Sequence, residues 1–200
     1  MTDGGWDDAY KHDRVPWDIG RPQPAIVHLA DAGELIEPVL DNGCGSGEHA
    51  LLAAMMGLEV TGVDIAQTAI ERARGKARSR GLSVQFLVGD VLALDQVKRL
   101  EPPFRTAIDT GCFHTFANAD RPIYASSLAS VMEPGGVLHL LCFSEHTPGT
   151  EGPRRVTQAE IGQTFSRDWL VDRIEPAQFA VSNLWTGAQP DAWLARIVRR

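Results

Sequence analysis

The strongest hydrophobic pattern in the chain is an apolar strand that breaks into glycines and resumes as an apolar helix. Residues 38–40 form the predicted strand, and residues 50–56 carry apolar side chains on nearly every side of the predicted helix. Between them, Gly43, Gly45 and Gly47 occupy alternate positions. Glycines can adopt positive φ and let a ligand approach the backbone, because they have no Cβ. The pattern therefore predicts the start of a βαβ unit with a ligand-binding turn.

Further apolar runs alternate with amphipathic segments along the rest of the chain. The runs that predict strands cover residues 59–64, 83–88, 104–109, 137–143, 169–175 and 193–198. Helices are predicted over residues 24–35, 47–56, 66–80, 120–132 and 157–165, with a short one at 95–100. Thr157 and Glu160 have the spacing of a capping box at the start of the last helix. Strands that alternate with helices favour a parallel sheet, here with a hairpin-like addition at its end.

The first 24 residues combine a polar, acidic composition with two tryptophans, Trp6 and Trp17. Residues 14–22 contain too many helix breakers for a long helix but too many apolar side chains for a free tail. We therefore predict that residues 1–24 pack on the domain as a lid. The length of the chain favours one domain over residues 1–200.

Charge and cysteine content limit the partners that the chain can have. The net charge of −7 at pH 7 argues against nucleic acid or an anionic membrane, and the basic residues within 72–80 predict a solvated helix face. No apolar run reaches the length of a bilayer span. Cys44, Cys112 and Cys142 are odd in number, so we expect reduced thiols in a cytoplasmic protein. Their spacings to histidines match no strong zinc signature, and no metal site is predicted.

An aspartate ends or directly follows each of four predicted strands. The carboxyl ends of parallel strands meet at one edge of a sheet, so one cleft should contain Asp41, Asp64, Asp90 and Asp109. Residues 45–50 also fit the dinucleotide fingerprint G-x-G-x-x-G/A. A diphosphate at that helix N-terminus would lie beside Glu48 and close to Asp41, and both carboxylates would repel it. The charges therefore favour a cofactor that is cationic and has no phosphate.

The run Asp41-x-Gly43-x-Gly45-x-Gly47 resembles motif I of the class I S-adenosylmethionine (SAM)-dependent methyltransferases. The resemblance implies SAM as the cofactor and S-adenosylhomocysteine as its product. It also implies an α/β fold, a Rossmann-like three-layer αβα sandwich. Its sheet would have seven mostly parallel strands in the order 3-2-1-4-5-7-6, with strand 7 antiparallel.

The same resemblance assigns roles at the strand ends. It implies that Asp64 accepts hydrogen bonds from both ribose hydroxyls and that Asp90 meets the adenine amino group. The backbone N–H of Val91 would meet a ring nitrogen. The residues expected to bind the cofactor are Trp17, Asp41, Gly43, Cys44, Gly45, Asp64, Ile65, Asp90, Val91 and Asp109.

Two further stretches resemble subgroups of this family. Residues 16–20, Pro-Trp-Asp-x-Gly, are similar to the N-terminal segment of thiopurine-type and tellurite-resistance-type methyltransferases, which closes over the cofactor. Residues 109–114 and 140–144 resemble bacterial methyltransferases of phenolic, quinone-like or heterocyclic small molecules. Enzymes that methylate amino groups of nucleic acid or protein glutamine carry Asn/Asp-Pro-Pro-aromatic after the fourth strand. This chain has Asp-Thr-Gly-Cys at 109–112, which argues against those substrates.

The segment after the fourth strand supplies the candidate acceptor site, whose predicted residues are Phe113, His114, Phe143 and Trp185. His114 is the candidate general base, because its ordinary pKa suits proton transfer near neutral pH. The alternative is a wall residue that packs on the adenine side or bonds the loop. His146 is a second candidate base, and His139 is predicted to be a core histidine with a backbone partner. His12 and His49 are predicted to be peripheral.

The sequence therefore predicts a SAM-dependent methyltransferase that methylates oxygen, sulfur or nitrogen of a small, aromatic or heterocyclic acceptor. We expect a monomer or a homodimer. Two alternatives stay open, an NAD(P)-dependent oxidoreductase and a non-catalytic SAM-binding module of the same fold. The oxidoreductase would need a Tyr-x-x-x-Lys pair, but Tyr124 is followed four residues later by Leu128. The glycine turn indicates that a cofactor binds and says nothing about turnover.

Overall fold

A seven-stranded sheet forms the centre of the computed structural model, which describes residues 3–200 and only the backbone of residues 3 and 4. The strands are β1 (Val39–Asn42), β2 (Val60–Asp64), β3 (Gln85–Val88), β4 (Phe104–Thr110), β5 (Met132–Phe143), β6 (Trp169–Gln178) and β7 (Asp191–Arg199). Their order is β3-β2-β1-β4-β5-β7-β6. β7 pairs antiparallel with both β5 and β6, whereas the other pairs are parallel. The predicted strand order and the reversed β7 are confirmed.

Helices cover both faces of the sheet, as the predicted three-layer sandwich requires. They are α1 (Asp3–Lys11), α2 (Pro24–Asp31), α3 (Glu48–Met55), α4 (Gln67–Arg80), α5 (Asp120–Val131) and α6 (Gln158–Thr164). Ile26, Leu51 and Ile70, from α2, α3 and α4, are fully buried in one core cluster. Leu128 of α5 and Ile161 of α6 are fully buried in a separate cluster. Each side chain of this size stabilises the fold by about 1.5–3 kcal/mol when it is buried.

The capping box at the start of α6 is confirmed. The hydroxyl of Thr157 accepts a hydrogen bond from the backbone N–H of Glu160 at 3.1 Å. In return, the carboxylate of Glu160 accepts one from the backbone N–H of Thr157 at 2.8 Å. These bonds satisfy two N–H groups at the helix start and fix the position of the Glu160 side chain.

Several element boundaries differ from the prediction for local reasons. The predicted turn at residues 133–136 belongs to β5, where the pairing with β4 shifts register between Phe104 and Thr106. α2 ends at Asp31 rather than residue 35, and Gly33 two residues later has a φ of 73°. The short helix predicted at residues 95–100 is a 3₁₀ segment, Val91–Gln96. Across the described residues, no helix is both long enough and apolar enough to cross a membrane.

Candidate active site

The glycine turn after β1 is approached closely by two other segments. Gly43 and Gly45 have φ values of 75° and 52°, a region that side chains rarely adopt. A Cβ at Gly43 would lie 2.7 Å from the Cβ of Cys112, and one at Gly45 would lie 2.5 Å from the hydroxyl of Tyr10. Both glycines remain partly exposed. The turn therefore presents bare backbone at the edge of the sheet.

Two carboxylates near the turn face away from it. Asp41 is buried and accepts a hydrogen bond from the backbone N–H of Ala50 in the first turn of α3, at 2.9 Å. Burial raises the pKa of Asp41 to about 7. Glu48 is also buried, and its carboxylate lies 2.8 Å from Nζ of Lys76 and 3.0 Å from Arg80 on α4. Asp41 therefore holds the start of α3, which corrects its assignment to the cofactor, and Glu48 joins α3 to α4.

The position of Glu48 corrects two expectations from the sequence. Its charge is balanced by two cations of α4, so Glu48 does not repel a ligand at the glycine turn. The basic face of α4 is also not wholly solvated, because Lys76 and Arg80 make these contacts and Arg74 donates to the backbone carbonyl of Phe86 at 2.6 Å. The carboxylate that would repel a diphosphate at the glycine turn is that of Asp64, which is partly exposed and bonded to Gly45.

Asp64 ends β2 and is partly exposed at the edge of the sheet. Its carboxylate accepts hydrogen bonds from the backbone N–H groups of Gly45 and Ala66, both at 2.8 Å. Burial raises the pKa of Asp64, and these two bonds oppose that shift. A carboxylate has about four acceptor positions, so Asp64 keeps the capacity to bind two hydroxyl groups.

The other predicted cofactor residues, which follow β1, β2 and β3, differ in how far their side chains are exposed to solvent. Asp90 is exposed, and its side chain accepts a hydrogen bond from the backbone N–H of Leu92 at 2.9 Å. Ile65 is partly exposed, whereas Val91 and Cys44 are buried. Asp90 and Ile65 can meet a ligand with their side chains. Val91 can do so through its backbone, which is the role that the resemblance implies.

Asp109 lies inside the protein rather than in the cleft, which corrects its assignment to the cofactor. Its carboxylate accepts hydrogen bonds from the backbone N–H groups of Cys112 and Phe113, at 2.9 and 3.1 Å, and from the hydroxyl of Tyr124. Asn42 donates to the same hydroxyl at 3.0 Å. Burial raises the pKa of Asp109 to about 6. Asp109 therefore shapes the loop after β4, as Asp41 holds the start of α3.

The N-terminal segment packs on the domain, but it contains a helix that the sequence did not predict. On α1, the carboxylate of Asp7 accepts a hydrogen bond from the backbone N–H of Thr68 on α4, at 2.7 Å. After the helix, Trp17 donates from Nε1 to the hydroxyl of Tyr10 at 3.1 Å. That hydroxyl is the group that touches Gly45. The predicted packing is thus observed, with Tyr10 as a contact that sequence reasoning missed.

Aromatic rings surround His114 after β4. Its ring lies 4.8 Å from that of Phe143 and 5.7 Å from that of Phe179, and Trp185 packs 5.7 Å from Phe143. Phe143 and Phe179 are buried, and Trp185 is partly exposed. The acceptor wall of Phe143 and Trp185 stays a prediction, to which the structure adds Phe179. Phe113 is a correction, because it is fully buried in the core beneath α5 and α6.

The contacts of His114 argue against a general base. Its Nδ1 accepts a hydrogen bond from the backbone N–H of Phe143 at 3.0 Å. Burial, together with the nearby positive charges of Arg121 and Arg155, lowers the pKa of His114 to about 3. The ring is therefore neutral near pH 7, with its proton on Nε2 and its basic nitrogen occupied. The alternative interpretation, a wall residue that bonds the neighbouring strand, agrees with this geometry.

Arg121, near the start of α5, is a buried cation that no sequence pattern predicted. Its side chain is 3% exposed and lies over the ring of Phe113, with 4.6 Å from Cζ to the ring centroid. One nitrogen lies 3.1 Å from the carboxylate of Glu160, which Arg154 also contacts. Nε and Nη2 of Arg121 are buried and make no hydrogen bond to any residue within 3–200. Arg121 therefore has three N–H bonds without a partner, one on Nε and two on Nη2, and its charge lies close enough to affect His114.

The remaining histidines are placed as follows. His49 is buried between α2 and β4, which corrects its assignment as peripheral. His139 is buried with Nε2 3.4 Å from the backbone carbonyl of Glu34, as predicted. His146 is exposed on the loop after β5, and His12 is exposed on the N-terminal segment.

Known proteins share both the sequence and the shape of this chain. A family model described as a methyltransferase domain matches residues 39–136, which contain the glycine turn and the ends of β1 to β4. A 2-heptyl-1-hydroxyquinolin-4(1H)-one methyltransferase from Mycobacteroides abscessus is 37% identical over 168 residues, covering 82% of this chain and 73% of that protein. A probable thiol methyltransferase 2 from Arabidopsis thaliana is 31% identical, covering 71% of this chain and 62% of that protein.

One solved structure is similar over most of its length. It comes from work on the conversion of a disulfide bond into a thioacetal group during echinomycin biosynthesis. It is 36% identical in sequence, with a TM-score of 0.82, and the match covers 92% of this chain and 84% of that one.

Proposed function

This chain belongs to the class I SAM-dependent methyltransferases, and within that family we propose that it methylates an acidic oxygen or sulfur of a small aromatic or heterocyclic molecule. The chain is an enzyme that takes SAM as methyl donor, and its similarity to methyltransferases of a hydroxyquinolinone and of thiols supports a small acceptor. The comparisons do not favour the NAD(P)-dependent oxidoreductase.

The residues around the glycine turn fit a cationic cofactor. Gly43 and Gly45 leave the backbone open, and Asp64 presents a partly exposed carboxylate beside them. The nearest basic side chains of α4, Lys76 and Arg80, are held by Glu48, so they are not free to bind a phosphate. We assign the ribose hydroxyls to Asp64 and the adenine to Asp90. When bound, SAM supplies a methyl group on a sulfonium, which is already activated for displacement.

The observation that carries the acceptor class is the guanidinium of Arg121, which pairs with Glu160 through one nitrogen and has no partner for the other two within residues 3–200. A buried cation with two unpartnered nitrogens favours a ligand that brings negative charge, because unpaired buried donors are costly. The aromatic rings of Phe143, Phe179 and Trp185 favour a planar, apolar body for the same ligand. An ionised hydroxyl or thiol on an aromatic ring combines both properties.

The relatives agree with an acidic acceptor atom. One carries the name of a methyltransferase for a 1-hydroxyquinolinone and the other that of a thiol methyltransferase. A thiol group, or a hydroxyl group that is attached to nitrogen, loses a proton far more readily than an alcohol does. Arg121 would stabilise the resulting anion, so the enzyme needs no side chain to remove the proton. His114, with its basic nitrogen bonded to Phe143, then serves as part of the wall.

The test is a panel of acceptors that differ in the reacting atom. Purified enzyme and SAM would be incubated with 2-heptyl-1-hydroxyquinolin-4(1H)-one, benzenethiol and aniline, and methylated products measured by mass spectrometry. We expect products from the hydroxyl and thiol compounds and little or none from aniline, which is neutral at pH 7 and does not form an anion in water. Preferential methylation of aniline would contradict the proposal. The Asp64→Ala variant is the control for dependence on the enzyme-bound cofactor.

A further inference from the structure

A short series of hydrogen bonds joins Gln23, near the end of the N-terminal segment, to the end of β4. The backbone N–H of Gln23 donates to Nε2 of His49 at 3.1 Å. Nδ1 of the same ring lies 3.3 Å from the hydroxyl oxygen of Thr110. Gln23 and His49 are buried, whereas Thr110 is partly exposed. The series therefore runs from the interior to the edge of the sheet where the methyl acceptor is proposed to bind.

The bond from Gln23 decides where His49 carries its proton. A backbone N–H can donate only to a ring nitrogen that has no proton, so Nε2 is the acceptor. Burial lowers the pKa of His49 to about 4, and the ring is therefore neutral near pH 7. A neutral ring with an unprotonated Nε2 carries its proton on Nδ1. That N–H donates to Thr110, whose hydroxyl then has its own proton free to donate elsewhere.

Thr110 lies beside the aromatic wall of the acceptor site. It is followed by Gly111, where a Cβ would lie 3.1 Å from Nε2 of His114 and 3.0 Å from the ring of Phe179. We propose that the Thr110 hydroxyl donates a hydrogen bond to the methyl acceptor, and that His49 is a positioning residue that fixes the direction of this bond. The inference deepens the proposed function and rests on it, because the acceptor must offer a lone pair next to the reacting atom.

Gln23 also connects this series to the wall. Its side-chain amide makes two hydrogen bonds with the peptide groups of Ala180, at 2.9 and 2.8 Å. Ala180 directly follows Phe179, whose ring packs against His114. One residue therefore holds both the His49 ring and the strand end that carries Phe179. Gln23 therefore fixes the distance between the His49–Thr110 hydrogen bond and the aromatic wall. A fixed distance of this kind is needed to orient a small acceptor.

The first test measures the tautomer and needs no turnover. Nitrogen NMR of the His49 ring in the enzyme bound to S-adenosylhomocysteine would distinguish the two neutral forms. We expect the proton on Nδ1 at pH 7, and a change in the Nδ1 resonance when Thr110 is replaced by valine. A proton on Nε2, or an Nδ1 resonance that Thr110→Val does not alter, would overturn the inference.

The second test separates positioning from structure with matched variants. Thr110→Val removes the hydroxyl at nearly constant shape, and we expect kcat/KM for benzenethiol or the hydroxyquinolinone to fall about 3- to 10-fold, the loss of one hydrogen bond. Thr110→Ser should restore it to within about twofold. His49→Asn places an amide where Nδ1 lies and keeps the Thr110 bond. His49→Gln places it where Nε2 lies and keeps only the Gln23 bond.

We therefore expect His49→Gln to resemble Thr110→Val, and His49→Asn to stay closer to the wild type in kcat/KM for the acceptor. SAM affinity, measured by calorimetry, should be unchanged in all four variants. A larger loss in His49→Asn than in His49→Gln would make His49 a structural residue and overturn the inference. Absence of turnover by the wild type on the whole panel would instead contradict the proposed function, and the tautomer measurement still decides the inference in that case.

Discussion

The two halves of the cleft differ in the charge that they present and in how they hold it. In the cofactor half, at the ends of β1 to β3, the partly exposed carboxylate of Asp64 is held by backbone N–H groups, including that of Gly45. In the acceptor half, around the loops that follow β4 and β5, the buried charge is the guanidinium of Arg121. It is held by the side chain of Glu160 and the ring of Phe113. One half is therefore acidic and the other basic.

This difference suits a reaction between a cationic donor and an anionic acceptor. Opposite charges at the two ends of the cleft favour one arrangement of the two substrates over the reverse. Orientation of this kind can supply about 7–11 kcal/mol of the barrier when the reacting atoms are aligned. A site built this way depends on position rather than on proton transfer. The neutral, hydrogen-bonded state of His114 agrees with that interpretation.

The largest effect is expected from the cofactor half. Asp64→Ala removes the acceptor of two proposed charge-assisted hydrogen bonds, each of which contributes about 1.5–3 kcal/mol. We expect SAM affinity, measured by calorimetry, to fall by at least about 100-fold. Glu48→Gln is the matched control, because Glu48 directly follows the glycine turn but its carboxylate faces α4. That variant should lower the midpoint of thermal unfolding and leave SAM affinity unchanged, and a fall in its SAM affinity would show that the charge of Glu48 contributes to the cofactor site.

The next largest effect is expected in the acceptor half. Arg121→Met keeps an unbranched, apolar side chain over Phe113 but removes the charge. We expect kcat/KM for benzenethiol to fall about 30-fold and SAM affinity to stay within about twofold. Arg121→Lys retains the charge but not the planar guanidinium. Its kcat/KM for benzenethiol should therefore lie between those of the wild type and Arg121→Met. If Arg121→Met lowered SAM affinity as much as kcat/KM for benzenethiol, Arg121 would not act on the acceptor half alone.

A smaller effect is expected at His114. With a pKa of about 3, the ring does not titrate between pH 5 and 9 in the folded enzyme. The pH at which kcat/KM rises should therefore follow the pKa of the acceptor, and two thiophenols of different acidity should shift it by the difference in their pKa values. His114→Asn should lower kcat less than about tenfold and leave that pH unchanged. A rise that stays at one pH for both acceptors and disappears in His114→Asn would make His114 the base after all.

The halves also differ in how far the sequence could predict them. In the cofactor half the strand ends in register predicted the positions of Gly43, Gly45, Asp64 and Asp90, because hydrophobic periodicity sets where each strand stops. The direction of a carboxylate does not follow from that pattern. Glu48 turns towards α4 because Lys76 and Arg80 lie there, 28 and 32 residues away.

Contacts in the acceptor half join residues that are far apart in the chain, so no local pattern could reveal them. Arg121 and Glu160 are 39 residues apart, and His114 and Phe143 are 29 apart. An arginine in the first turn of a helix is typical of a solvated position, which is why Arg121 was not selected. α1 was missed for a related reason. Its sequence, with two glycines, is a weak helix former, and Asp7 is held by Thr68 across 61 residues.

The smallest effect is expected where α1 meets the cofactor half, and it tests whether that segment is a lid. The hydroxyl of Tyr10 accepts the hydrogen bond of Trp17 Nε1 and lies against Gly45. Tyr10→Phe leaves that N–H without its partner, which costs about 1 kcal/mol of interaction free energy. If the segment closes on the cofactor, SAM affinity should fall about fivefold while KM for the acceptor stays constant. Asp8→Asn, at an exposed position of the same helix, should change neither quantity. A loss of thermal stability in Tyr10→Phe without any change in SAM affinity would show that α1 stabilises the fold and does not contribute to cofactor binding.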